Sequence, residues 1–266
     1  MTMENTPLES PKKYSAPALE KGLEIIELLA EVYEGLTLTN ICAQLGRSKP
    51  EIFRMISVLK DQGYIEYFPQ NKFYRLSLKL FRLSNRFAPI QQLNNVAFPL
   101  IQQLCEKTEQ SYHLVVYSNG GGLISAYQDY ENNSNHLILP VGGRGPLVNN
   151  CAGHILLSFS SYDDTARMLE AYKSDINSNE FDDMELSKII VRVKKQGYEE
   201  MNSPVLIGVH DIGFPIYDHR ENIMAVIMTS ILLYKDNQQN PNFESLKLQM
   251  QKTALLISNQ FGYQDN

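Results

Sequence analysis

Only three cysteines occur in the 266 residues, Cys42, Cys105 and Cys151. Odd in number and widely spaced, they argue against a disulfide framework or a structural zinc site. Long apolar runs are also missing. The longest, Ile223 to Tyr234, is interrupted by Thr229 and Ser230. It is too short to span a bilayer as a helix, and its β-branched content suits a buried strand. Residues 1–14 carry two lysines but no apolar core, so they read as a disordered tail and not as a signal peptide. The expected compartment is the cytoplasm, with no membrane partner. Signatures of catalysis are absent too: no GxSxG elbow, HExxH, P-loop or GxGxxG occurs, and the five histidines are scattered. The expectation is a protein that is not an enzyme and needs no cofactor or metal.

What is present is a globular composition, 43% hydrophobic and 20% charged, with length for two modest domains. The net charge of −6 hides a segregation. From Arg47 to Arg86 nine basic residues face three acidic ones, a local charge of +6, whereas residues 88–266 carry −8. A basic segment on an acidic body is the layout of a small DNA-binding module joined to a partner domain of other function.

Periodicity gives that segment its form. Leu19, Leu23, Ile26, Ala30 and Tyr33 recur at helical spacing after a Ser15 cap, predicting a first helix that is acidic outside and supports without touching phosphates. A short helix over about 39–45 ends at Gly46. Ser48-Lys49-Pro50-Glu51 then forms a capping-box sequence ahead of a helix burying Ile52, Met55, Ile56 and Leu59. Two helices joined by a three-residue turn make a helix-turn-helix. The strand-like runs 64–68 and 73–76 around Pro69-Gln70-Asn71-Lys72 make a wing. The domains expected are a winged helix-turn-helix over 15–77, a linker helix over 78–92, and a second domain over 93–266.

In the second domain helices are expected at about 94–109, 151–159 and 243–260, with two more before Gly197. Strands are expected at 112–117, 123–127, 136–141, 209–217 and 223–233, with Gly120-Gly121-Gly122 as a hairpin turn. The fold class is α+β, an antiparallel sheet with helices packed on it.

On the recognition helix, Pro50, Arg54, Ser57 and Asp61 lie opposite the buried stripe, with Lys49 at the tip. Arg54 suits guanine or phosphate, and otherwise is a solvated helix arginine. Arg47 in the turn and Lys72 at the wing tip are phosphate candidates or ordinary solvated residues. Glu51 is expected to cap its own helix, with cytosine N4 as the lesser role. The Gly142–Gly145 loop and the helix starting near Cys151 either present amides to an anion or form a plain turn. His154 either pairs with a carboxylate or simply packs, and Cys151 reads as a buried small residue.

The run Ala18 to Ala30, Leu36-Thr37-Leu38-Thr39, Leu45-Gly46, Arg54, Gly63-Tyr64-Ile65 and Tyr74-Arg75-Leu76 resembles the IclR family of bacterial transcriptional regulators. Pro146-Leu147, Ala152-Gly153, Leu156-Leu157, Gly197-Tyr198, Gly208-Val209 and Pro215-Ile216-Tyr217-Asp218 continue the resemblance. It implies a GAF/profilin-like effector-binding domain and a DNA-binding set of Arg47, Ser48, Lys49, Pro50, Glu51, Arg54, Ser57 and Lys72. It further implies an effector pocket at Cys151, Ala152, Gly153, His154, Ile227 and Thr229, holding a small organic acid. Partners would be double-stranded operator DNA, that effector, and further copies of the chain as a dimer or dimer of dimers. Members often have Ser and Thr at positions 50 and 51, and a basic residue where this chain has His154. A regulator whose second domain serves only oligomerisation is the alternative.

Overall fold

The computed structural model describes residues 15–84, 86, 88–130, 137, 139–174, 181–235 and 240–264. The expected tail, residues 1–14, lies outside them. The chain divides into two compact units, Met1–Ala88 and Pro89–Asn266.

The first unit runs α1 (Pro17–Ala30), β1 (Leu36–Thr37), α2 (Leu38–Leu45), α3 (Lys49–Asp61), β2 (Ile65–Phe68), β3 (Phe73–Leu76) and α4 (Lys79–Ser84). Ile25, Leu29, Ile41, Ile52, Ile56 and Ile65 form its core. The face of α1 differs from expectation: Gly22, Ile25 and Leu29 are buried, while Leu19, Leu23 and Tyr33 are exposed. The helix is apolar on more than one side, so period alone does not choose the buried stripe. Ala16, not Ser15, is the N-cap. The Ser15 hydroxyl and Ala16 N–H both donate to Glu20. The β2–β3 hairpin is the wing and pairs with β1 in a three-stranded antiparallel sheet of order β1-β3-β2. The linker helix is shorter than expected. It ends at Ser84, and the next helix already includes Pro89 in its first turn, a position proline tolerates.

The second unit runs α5 (Ala88–Thr108), β4 (Tyr112–Ser118), β5 (Gly121–Gln128), β6 (Arg144–Pro146), α6 (Cys151–Phe159), α7 (Tyr162–Lys173), α8 (Asp183–Gln196), β7 (Glu199–Asn202), β8 (Val209–Tyr217), β9 (Ile223–Leu232) and α9 (Phe243–Gln260). Its antiparallel sheet has the order β6-β5-β4-β9-β8-β7. One sheet face meets α5 and α9 through Leu114, Ile212, Phe214 and Ile227 against Leu93, Ile101 and Met250. The other meets α6 and α8 through Val115, Val226 and Met228 against Cys151, Ile155 and Val193. Two local expectations fail. The β4–β5 turn is Asn119-Gly120, both with positive φ (43° and 80°), as a two-residue hairpin turn requires; Gly121 and Gly122 belong to β5. Residues 137, 139 and 140 form no strand, while His136 and Ile138 lie outside the described residues. Arg144–Pro146 pairs with β5 instead.

Helix α6 approaches the preceding loop so closely that a Cβ on Gly153 would stand 2.0 Å from the Leu147 carbonyl oxygen. Gly153→Ala is therefore expected to destabilise the second unit by about 2–3 kcal/mol, read as a lower denaturant midpoint. An unchanged midpoint would refute the close approach.

Candidate DNA interface and effector site

The recognition helix α3 is held by Ile52 and Ile56, both wholly buried. Its outer side leaves Ser48, Lys49, Pro50 and Arg54 exposed, with Ser57 half-buried and Lys72 exposed at the wing tip. The Ser57 hydroxyl donates to the Phe53 carbonyl at 2.8 Å, within its own helix. Two expectations change here. Half of the capping box forms: Ser48 is the N-cap but its hydroxyl makes no capping bond, whereas the Glu51 carboxylate accepts from the Ser48 N–H as expected and also pairs with Lys21 of α1. That hydrogen bond from Lys21, aided by nearby positive charge and the Ser48 N–H, holds the Glu51 carboxyl below the usual range. Arg47 is committed as well: its guanidinium donates to both Glu24 oxygens, at 3.1 and 2.9 Å. In this structure it ties the turn to α1 instead of standing open to a phosphate.

In the second unit Cys151, Ala152, Gly153 and His154 open α6, all buried. The anion reading of this helix end fails on one residue. Asn150 caps it, its side-chain oxygen accepting from Ala152 N–H at 2.9 Å and Gly153 N–H at 3.4 Å, so those amides are already engaged. Nor is the glycine loop before it an anion cradle, for Arg144 and Gly145 are strand residues of β6. The Arg144 guanidinium donates to the Asn119 carbonyl at 2.7 Å.

His154 Nε2 donates to the Val148 carbonyl at 2.8 Å, and Nδ1 lies 3.1 Å from Glu199 Oε2. Glu199, with no exposed side-chain surface, also accepts from Arg192 at 3.0 and 2.7 Å. Burial alone would raise its carboxyl, but the bonds from His154 and Arg192 outweigh that and hold it below the usual range. Nearby, the Ser230 hydroxyl donates at 2.6 Å to Asp211. Burial pushes the Asp211 carboxyl up, against the pull of Ser230. Burial likewise raises the Cys151 thiol, which donates weakly to the Glu199 carbonyl at 3.5 Å. A cavity of about 360 Å³ reaches this cluster at His154 and is lined also by Asn149, Asp182, Leu186, Ile189 and Met201, whereas Asp211, Ser230 and Cys151 are not among its lining residues.

Ile227 and Thr229 do not join this cluster. Ile227 is in the core under α5 and α9, and the Thr229 hydroxyl donates to the Ser111 carbonyl at 2.9 Å. Alternation along β9 turns Val226, Met228 and Ser230 toward α6 instead. The sequence reading missed Asp211, Ser230, Arg192 and Glu199. Asp211 had a visible signal, a lone carboxylate inside the apolar run of β8. Among the described residues no group of histidines, cysteines and carboxylates could hold a metal, and no helix is long and apolar enough to cross a membrane.

The linkage of Glu199 has a definite sign. Its folded value lies below the ordinary one, so its contribution is present above the ordinary carboxylate range and lost as pH falls through the folded value. Glu199→Gln is expected to cost about 3 kcal/mol near neutrality. The gap from the parent should narrow in acid, measured by chemical denaturation across pH. A gap independent of pH would contradict the ion-pair account.

Comparison with known proteins agrees with this architecture. Residues 18–69 match the family model of the IclR helix-turn-helix domain, and residues 88–259 that of the bacterial transcriptional regulator IclR C-terminal domain. The HTH-type transcriptional regulator XynR of Escherichia coli is 24% identical, over 92% of this chain and 97% of its own. The regulator KdgR of the same organism is 23% identical, over 94% and 95%. Among solved structures, an IclR homologue from Microbacterium hydrocarbonoxydans complexed with 4-hydroxybenzoate superposes with a TM-score of 0.74 at 17% identity, covering 92% of this chain and 98% of that one. The IclR of Thermotoga maritima gives 0.70 at 19%, covering 92% and 98%. With both domains matched in order, the chain belongs to the IclR family of DNA-binding transcriptional regulators.

Proposed function

We propose that this regulator reads operator DNA with α3 and the wing, and that a small organic effector held on the α6 face of the second unit controls that binding. On the DNA side the reading rests on the exposed, basic outer surface of α3 and the wing tip, with Ser48, Lys49, Pro50, Arg54, Ser57 and Lys72 as contacts. Arg47 acts from behind, through Glu24. One helix-turn-helix reads only a few base pairs, so the working form is a dimer or dimer of dimers on paired half-sites. Exposed Leu19 and Leu23 of α1 and Phe81 of α4 supply apolar surface for self-association. Such a protein works in the cytoplasm, with the DNA.

The observation that carries the effector reading is Asp211. A buried carboxylate in the middle of an apolar strand, with its ionisation disfavoured by burial, does nothing for packing, and such groups concentrate at functional sites. Ser230, Met228, His154 and Cys151 belong to the same face. The ligand of the Microbacterium hydrocarbonoxydans neighbour supports a small organic molecule as the class. Two of the α6 amides are engaged by Asn150, and Asp211 offers an acceptor. The effector therefore carries hydrogen-bond donors of its own. The alternative, a second unit that only oligomerises, finds some support in the exposed aliphatic tip Val205, Leu206 and Ile207.

Arg54→Ala is expected to weaken operator binding by about 1–3 kcal/mol if it reads a base. If it touches phosphate alone, the loss is uniform across sequences and the salt slope falls by about one. A folded variant with unchanged affinity and salt dependence overturns the DNA assignment. For the effector, small organic molecules are titrated into the protein–operator complex, 4-hydroxybenzoate among them, and contacts mapped by chemical-shift change. Shifts should centre on His154, Asp211 and Ser230, and Asp211→Asn should abolish the change in DNA affinity. Shifts confined elsewhere refute the pocket, and a response untouched by Asp211→Asn refutes the role of that carboxylate.

A further inference from the structure

At the tip of the recognition helix stands a carboxylate, where DNA would bring its own negative charge. Glu51 occupies the third position of α3. A glutamate there ordinarily completes a capping box, but the Ser48 hydroxyl makes no capping bond. The Glu51 carboxylate still accepts from the Ser48 N–H, and it is held from the other side by Lys21, reaching across from α1. Both remain partly accessible, with 28% and 22% of their side-chain surface exposed. Three residues further along α1, Glu24 takes Arg47 in the opposite sense, at 2.9 Å. The two pairs pin α1 to the entrance of α3, and Lys21 offsets the charge of Glu51 without covering it.

An anchored carboxylate only accepts hydrogen bonds. In the major groove the available base donors are the amino groups of cytosine N4 and adenine N6. Adenine carries the N7 acceptor beside its amino group, and guanine and thymine present acceptors, all of which repel a carboxylate. Cytosine is the base that remains. We propose that Glu51 reads a cytosine in the operator half-site by accepting a hydrogen bond from its N4 amino group, with Lys21 as the positioning residue. The inference rests on the reading of operator DNA by α3 proposed above, with that helix in the major groove. Arg54, three residues on, reads separately from it.

The test is selection of binding sequences by the full-length protein from a randomised DNA duplex pool, comparing the parent with Glu51→Gln, Lys21→Met and Lys21→Arg. The parent should fix one C·G pair in each half-site, and its replacement by T·A should lower affinity about tenfold. Glutamine offers a donor as well as an acceptor, so Glu51→Gln should move that one position to adenine and leave the others alone. Lys21→Met should flatten the preference at the same position only, and Lys21→Arg should restore it. A merely structural lysine would lower affinity across all sequences without changing one base preference. If Glu51→Gln selects the parental motif unchanged, cytosine reading is wrong while the placement of α3 stands. A cytosine preference that survives Lys21→Met removes the positioning role. Should Lys21→Met fail to fold by circular dichroism, Glu51→Gln and Lys21→Arg still decide between these outcomes. If Arg54→Ala leaves the motif, the affinity and the salt dependence all unchanged and Glu51→Gln changes nothing, the placement of α3 itself is at fault.

Discussion

Glu199 stands at the junction of three elements of the second unit. It lies on β7, accepts from Arg192 on α8 and faces His154 on α6. A carboxylate without solvent contact is costly unless it is paired and hydrogen-bonded. This one is tolerated because its partners arrive from two different helices. The same requirement works in reverse on the helices. For Glu199 to be satisfied, α6 must present His154 inward and α8 must lie with Arg192 over the short edge strand. The floor and walls of the cavity beside His154 follow from that arrangement. Asp211, a few residues away, has no such pair of cations, and its carboxyl shifts the other way. One buried acid is held by two cations, the other by the Ser230 hydroxyl alone among the described side-chain bonds.

In the first unit the division of labour is different. Isoleucines fix α3 against α1 and α2, and the ion pairs at its entrance lie near solvent, where such pairs contribute little to stability. Their importance is directional. Lys21 and Glu24 alternate in sign along α1 and select opposite partners on either side of the Ser48 cap. The geometry of the tip is thus set by charge order after the helix has been placed by packing.

Much of this was legible in the sequence. Helix α9 begins at Phe243 and ends at Gln260, the range expected for it, and the wing strands bracket the expected turn. The failures share a cause: local patterns do not identify the neighbour. Helix α1 carries apolar residues on two sides, and only the fold chooses Ile25 and Leu29 over Leu19 and Leu23. On β9 the family resemblance points to Ile227 and Thr229 as pocket residues, but a strand turns over with every step, and Met228 and Ser230 lie on the α6 face. Ser48 and Glu51 have the spelling of a capping box, of which only the Glu51 half forms, and Lys21, thirty positions earlier in the chain, shares the carboxylate. The ion pairing of Glu199 depends equally on partners that sequence neighbours do not reveal.

The wing tip shows a choice that packing alone would not make. Lys72 sits at φ 59°, a left-handed conformation that costs a side-chain-bearing residue about 1 kcal/mol and glycine almost nothing. Glycine there would relieve the backbone and remove the cation, so if Lys72 contacts DNA as proposed, stability and function part company at this residue. An engineer seeking a hardier protein would choose glycine at position 72 and would leave the tip without its charge. Scoring by stability alone, blind to charge, would favour that change against the contact proposed for Lys72.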